Sequence, residues 1–125
     1  MEYNKIHHAV TDGDDMGAIY YGRDPSERGN KVRNNFFHDI GNDHGLIVSV
    51  YRDDGACGME VTGNIFFKAG RHDVLIGGGS DNVYRNNIFI GSATVFHLDN
   101  RLMGWAKSKP RSKRNIRRKV ARSKL

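Results

Sequence analysis

Apolar residues in the first 106 positions come in short runs closed by Gly, Asn or Asp, without the three-and-four spacing of a long amphipathic helix. One set of runs is Ala18 to Tyr21, Leu46 to Val48, Val74 to Ile76 and Val95 to Leu98. Each predicts a strand of about four to six residues. Between them lies a second set, each led by asparagine: Asn4-Lys5-Ile6-His7, Asn35-Phe36-Phe37-His38, Asn64-Ile65-Phe66-Phe67 and Asn87-Ile88-Phe89-Ile90. Successive asparagines stand 31, 29 and 23 positions apart, and Val32, Val61 and Val83 precede the last three, with one residue of slippage at Val83.

Self-similarity at this period marks a solenoid. The Leu-x-x-Leu-x-Leu pattern of a leucine-rich repeat is absent, and the repeats hold too many strands for a helical solenoid. The pattern predicts an all-β parallel β-helix of about four coils, with three short strands per coil stacked at ~4.8 Å. Equivalent positions then form ladders. Two residues after each Asn stand Ile6, Phe37, Phe66 and Phe89, which are expected to point inward. The asparagines share that parity, and a ladder of their amides would satisfy polar groups at the bend.

Composition supports this picture and corrects one impression. Glycine at 15 and proline at 2 suit many tight turns and little helix. The net charge of +6 is misleading, because residues 107–125 hold ten Lys or Arg and no acid. Residues 1–106 hold all fourteen acids and the other ten basic residues, a net charge of −4. The domain is thus expected at 1–106, followed by a basic, disordered tail at 107–125 that meets nucleic acid only non-specifically. No apolar run approaches the ~18 residues of a membrane span, no membrane partner is expected, and no signal peptide is visible. The single cysteine, Cys57, excludes an internal disulfide and zinc sites built on several thiolates.

The segments GNKVRNNFFHDIG, GMEVTGNIFFKAG and DNVYRNNIFIG resemble coils of the right-handed parallel β-helix superfamily, which includes bacterial pectate-lyase-like and alginate-lyase-like proteins. GAIYYGRD and HLDNRLMGWA extend the resemblance over residues 3–106. It implies a right-handed coil, a secreted (extracellular or periplasmic) setting, a polysaccharide or oligosaccharide partner, and a piece of a longer solenoid. Both ends of such a piece expose strand edges, which favours end-to-end self-association.

Stacked coils predict a column of chemistry where the first set of strands ends. Tyr21, Arg23 and Asp24 end one strand, and Tyr51, Arg52, Asp53 and Asp54 end the next. Gly77 to Gly79 end the third, and His97, Asp99 and Arg101 the fourth. A glycine-floored groove walled by acids, arginines and tyrosines suits a glycan, whose hydroxyls need polar partners and whose rings need aromatic faces. Asp24, Asp53 and Asp99 are the candidate catalytic residues. Adjacent coils would set Asp24 and Asp53 near the ~5 Å of a retaining glycosidase, and Asp53 and Asp99, two coils apart, would approach the ~6.5–9.5 Å of an inverting one. A lyase would draw on Arg23, Arg52, Arg101, His72 and His97 as base or charge stabiliser. The competing reading is a non-catalytic carbohydrate-binding or structural solenoid, in which each Asp is a turn residue.

Other motifs carry less. Asp12 to Gly17 leaves a loose Ca2+ site open but fails as an EF-hand loop, with Met16 at the fifth position and Arg23 at the closing one. His7 and His38 share a ladder position and read as structural histidines. Gly77 to Ser80 lacks the Lys and the helix of a phosphate loop.

Overall fold

The computed structural model describes residues 1–22, Asp24 and 26–99. Candidate residues Arg23 and Arg101, and the expected tail at 107–125, lie outside the described residues.

Eleven strands and no helix make up the described chain: β1 (Lys5–His7), β2 (Met16–Gly22), β3 (Lys31–Arg33), β4 (Phe36–Ile40), β5 (Ile47–Asp53), β6 (Glu60–Thr62), β7 (Ile65–Ala69), β8 (His72–Gly77), β9 (Val83–Arg85), β10 (Ile88–Ile90) and β11 (Thr94–Asp99). They form three parallel sheets: β1-β4-β7-β10, β2-β5-β8-β11 and β3-β6-β9. We refer to these as sheets one, two and three. Each coil contributes one strand per sheet, except that coil one reaches sheet three only through a bridge from Glu2 to Arg33. This is the parallel β-solenoid of about four coils that the repeats predict.

The ladders explain why these sequences stack. Sheet one pairs Ile6 with Phe37, Phe37 with Phe66, and Phe66 with Phe89. The rings of Phe37 and Phe66 lie parallel with centroids 4.8 Å apart, and Phe66 and Phe89 follow at 5.0 Å. Val32, Val61, Val50 and Val74 close the interior around them. Coils two and three are deeply buried, whereas β1 and β10 in the outer coils hold only half-buried apolar residues.

At the corner before sheet one, each asparagine accepts from the coil before it. Asn35 Oδ1 takes the backbone N–H and Nδ2 of Asn4, Asn64 Oδ1 those of Asn35, and Asn87 Oδ1 those of Asn64, all at 2.9–3.0 Å. The residues just before these asparagines, Tyr3, Asn34, Gly63 and Asn86, all have positive φ. That left-handed corner is one source of the Gly and Asn content, since both tolerate the conformation.

The third coil-to-coil match differs from expectation in one place. Val61 pairs with Tyr84, and Val83 pairs with Glu60 instead of continuing the Val32 and Val61 column. Val83 stands four positions before its asparagine instead of three, so Tyr84 takes the inward place three before Asn87 and Val83 is left exposed.

Candidate functional site

Sheet two carries the candidate chemistry, and its register decides which side chains reach the surface. Ile19 pairs with Val50, Val50 with Val74 and Val74 with Phe96, and Phe96 meets Phe89 of sheet one edge-to-face, so this column faces the core. One residue further, Tyr20, Tyr51, Leu75 and His97 form a column of the opposite parity, on the outer face. One residue beyond that, Tyr21, Arg52 and Ile76 turn back toward the interior, and Leu98 continues their column at the exposed last coil.

Two of the residues expected to line the groove lie elsewhere in this register. Tyr21 packs against the core instead of lining a surface, and burial raises its phenol above the ordinary range. Arg52 is 0% exposed. Its guanidinium donates to the carbonyl oxygens of Ala56 and of Gly78 (3.3 Å), and to the Tyr84 hydroxyl (3.4 Å). It thus ties the end of β5 to the glycine turn of the next coil. Gly79 sits over this contact at φ +86, and a Cβ there would collide with the Ala56 carbonyl oxygen.

The outer face retains a set of phenols and carboxylates. The Tyr20 hydroxyl donates to Asp53 Oδ2, and the Tyr51 hydroxyl donates to Asp15 Oδ1 at 2.8 Å. The two rings meet edge-to-face at 5.2 Å. Tyr20 is half exposed, while Tyr51 is buried against Val48 and Leu75 in a small cluster on this face. Tyr20 was not among the candidate residues, and Asp15 entered only as part of the acidic Asp12 to Gly17 loop. Only the parity of β2, counted inward from Ile19, separates Tyr20 from Tyr21.

The carboxylates divide into one pair and one outlier. Gly22, not Asp24, stands opposite Asp53, so adjacent coils do not bring Asp24 and Asp53 into register. Asp24 Oδ1 accepts from the backbone N–H (2.8 Å) and hydroxyl (2.6 Å) of Ser26, closing a turn. Asp99 pairs with Gly77, and Arg52 pairs with Ile76, so Asp53 and Asp99 flank Gly77 on either side. Asp53 is 6% exposed, beneath Tyr20. Asp54 follows it at φ 39 in the turn.

His72 and His97 approach at 5.1 Å between ring centroids. Burial, then His97 and Arg71, lower the His72 pKa. Beside His72, Asp73 is fully buried, and burial raises its carboxyl to about 6 despite a 2.5 Å hydrogen bond from the Ser92 hydroxyl.

The acidic loop before β2 is used internally. Asp14 Oδ1 accepts from the backbone N–H groups of Asp15 and Leu46 at 2.8 and 2.7 Å. Among the described residues, no three His, Cys, Asp or Glu side chains are grouped to hold a metal ion. His7 and His38 do share a rung, with rings parallel at 4.9 Å, and His38 Nδ1 lies 2.7 Å from Asp39. An open cavity of about 580 Å³, lined by Tyr3, Lys5, Asn34, Phe36 and Ile65 among others, lies at the sheet-one corner, away from the carboxylates.

Compared with protein-family models, curated proteins and solved structures, the chain matches none of them.

Proposed function

We propose that the chain is a polysaccharide-acting β-solenoid domain whose glycan lies across the coils on the outer face of sheet two. The observation that carries this reading is the half-exposed Tyr20, whose hydroxyl donates to Asp53 on the outer face over the buried Tyr51 ring. Phenol rings offer faces to sugar C–H surfaces, and carboxylates accept from paired hydroxyls. A sugar hydroxyl replacing Tyr20 at Asp53 would keep that carboxylate's hydrogen bond while uncovering it. The resemblance of the Asn-led coils to pectate-lyase-like and alginate-lyase-like β-helices supports the same substrate class, and with it an extracellular or periplasmic setting.

For catalysis, the pair is Asp53 and Asp99, one on each side of Gly77. Two rungs place them ~9.6 Å apart along the sheet, at the long end of the ~6.5–9.5 Å separation of an inverting glycosidase. With Arg52 turned inward, elimination has less to draw on among the described residues than hydrolysis has. The second reading, a carbohydrate-binding solenoid without turnover, draws on Asp24, whose carboxylate serves its own turn.

The test is a glycan panel, scored for binding, for new reducing ends and for unsaturated products, with wild-type chain and Asp53→Asn. The expected result is binding by both proteins and a turnover loss of about 10²–10⁴-fold in the variant. Binding without turnover in either protein would select the second reading. No binding to any acidic or neutral glycan would overturn both.

A further inference from the structure

We propose that the chain stacks head to tail, with the outer side of coil four docking on the outer side of coil one of a second copy. This inference does not rest on the glycan reading.

The asparagine ladder has a direction. The Oδ1 atoms of Asn35, Asn64 and Asn87 accept from the preceding coil, and the Nδ2 groups of Asn4, Asn35 and Asn64 donate onward. Asn64 uses both Nδ2 hydrogens, one on Val32 O and one on Asn87 Oδ1, at 2.9 and 3.0 Å. Asn87 uses one, on Val61 O at 2.9 Å. Its second Nδ2 hydrogen and its backbone N–H have no acceptor among the described residues. At the other end, Asn4 Oδ1 has no donor among them. The unused donors of Asn87 and the unused acceptor of Asn4 are the two halves of the contact that every internal rung makes.

Charge repeats the match. Glu2 bridges Arg33, and the same column continues through Thr62 to Arg85. Within the chain, Arg33 lies 3.6 Å from Glu2. Stacking would set Arg85, which is largely exposed and lies 3.6 Å from Glu60 within its own chain, against Glu2 of the second copy, one coil on. The apolar ladders end in the same unfinished way. Phe89 is stacked on Phe66 on one side only, and Ile6 pairs with Phe37 on one side only. In sheet two, Phe96 and Leu98 are exposed, in the columns that begin with Ile19 and Tyr21. Docking would therefore extend all the ladders in register and cover both edges, which otherwise invite pairing. Such a contact joins different surfaces on the two copies, so nothing in it closes after two.

Two charge reversals test the geometry in the full chain. Sedimentation velocity and light scattering of wild type should show a mass that rises with concentration and an elongated shape. Glu2→Arg and Arg85→Glu, each confirmed as folded by its β circular dichroism, should each raise the half-assembly concentration roughly tenfold. In each variant alone, the two docking ends carry like charge. Mixed in equal amounts, the variants present opposite charges at every junction, and assembly should return toward the wild-type level. A wild type that stays monomeric overturns the proposal. Variants that assemble as wild type does, or a mixture that fails to recover, overturn it equally.

Discussion

Asn64 Oδ1 accepts twice from Asn35, from the backbone N–H at 2.9 Å and from Nδ2 at 3.0 Å. Both residues are buried, at 0% and 2% exposure, so neither bond competes with water. Asn64→Ala removes that acceptor and also the donors to Val32 O and Asn87 Oδ1. The expected cost is about 3 kcal/mol, because buried partners are left unsatisfied. Asn4→Ala, at the exposed end of the ladder, should cost less than about 1 kcal/mol. Urea unfolding of both variants measures the difference, and equal losses would contradict the ladder's role in stability.

Arg52 separates a structural role from a ligand-binding one. Arg52→Met strips the Ala56 and Gly78 carbonyls and the Tyr84 hydroxyl of their shared donor. A loss of about 1–3 kcal/mol is expected, because neutral buried acceptors are left without a donor. Arg52→Lys should recover little of it, since one ammonium cannot span acceptors that a planar fork reaches. Chemical unfolding gives both values. Near-wild-type stability in the two variants would contradict the buried placement.

Asp73 and His72 make stability depend on pH with opposite signs. The Asp73 carboxyl is raised to about 6 from an unfolded value near 3.8, chiefly by burial. Its protonated form stabilises the folded chain fully below the unfolded value, and that contribution is lost as pH rises through about 6. At pH above 7 the charged group should cost on the order of 3 kcal/mol. Asp73→Asn should therefore raise the melting temperature at pH 8 and lose that advantage near pH 4. His72 is lowered, by burial first, so its contribution is present above the unfolded value and lost as pH falls through its folded one. His72→Gln should flatten the acid side of the profile only. Melts of the three proteins from acid to mildly alkaline pH test both signs.

Cys57 offers a probe of opening. It is buried, its thiol donates to Gly55 O at 3.2 Å, and its sulfur accepts from the Ser80 N–H at 3.3 Å. A thiol reagent should label it only through unfolding, at a rate that Asn64→Ala accelerates in proportion to its lost stability. Labelling as fast as in the denatured chain would contradict the burial.

The sequence by itself determined the solenoid, its coil count and the ladders of sheet one. Asn4, Asn35, Asn64 and Asn87 repeat with aromatic or aliphatic residues at a fixed offset, and that offset lies within one short strand, where parity is unambiguous. Tertiary structure alone decided which side chains of sheet two face outward. In a strand a shift of one residue reverses every side chain, so choosing Tyr21 over Tyr20 turned the expected groove inward. The repeat spacing does not carry register across turns of unequal length, which is why Asp24 misses Asp53. Arg52 looked like a surface cation because a guanidinium is costly to bury. Only the fold supplies the Ala56 and Gly78 carbonyls that offset this cost, because they lie in a turn of its own coil and in the turn of the next.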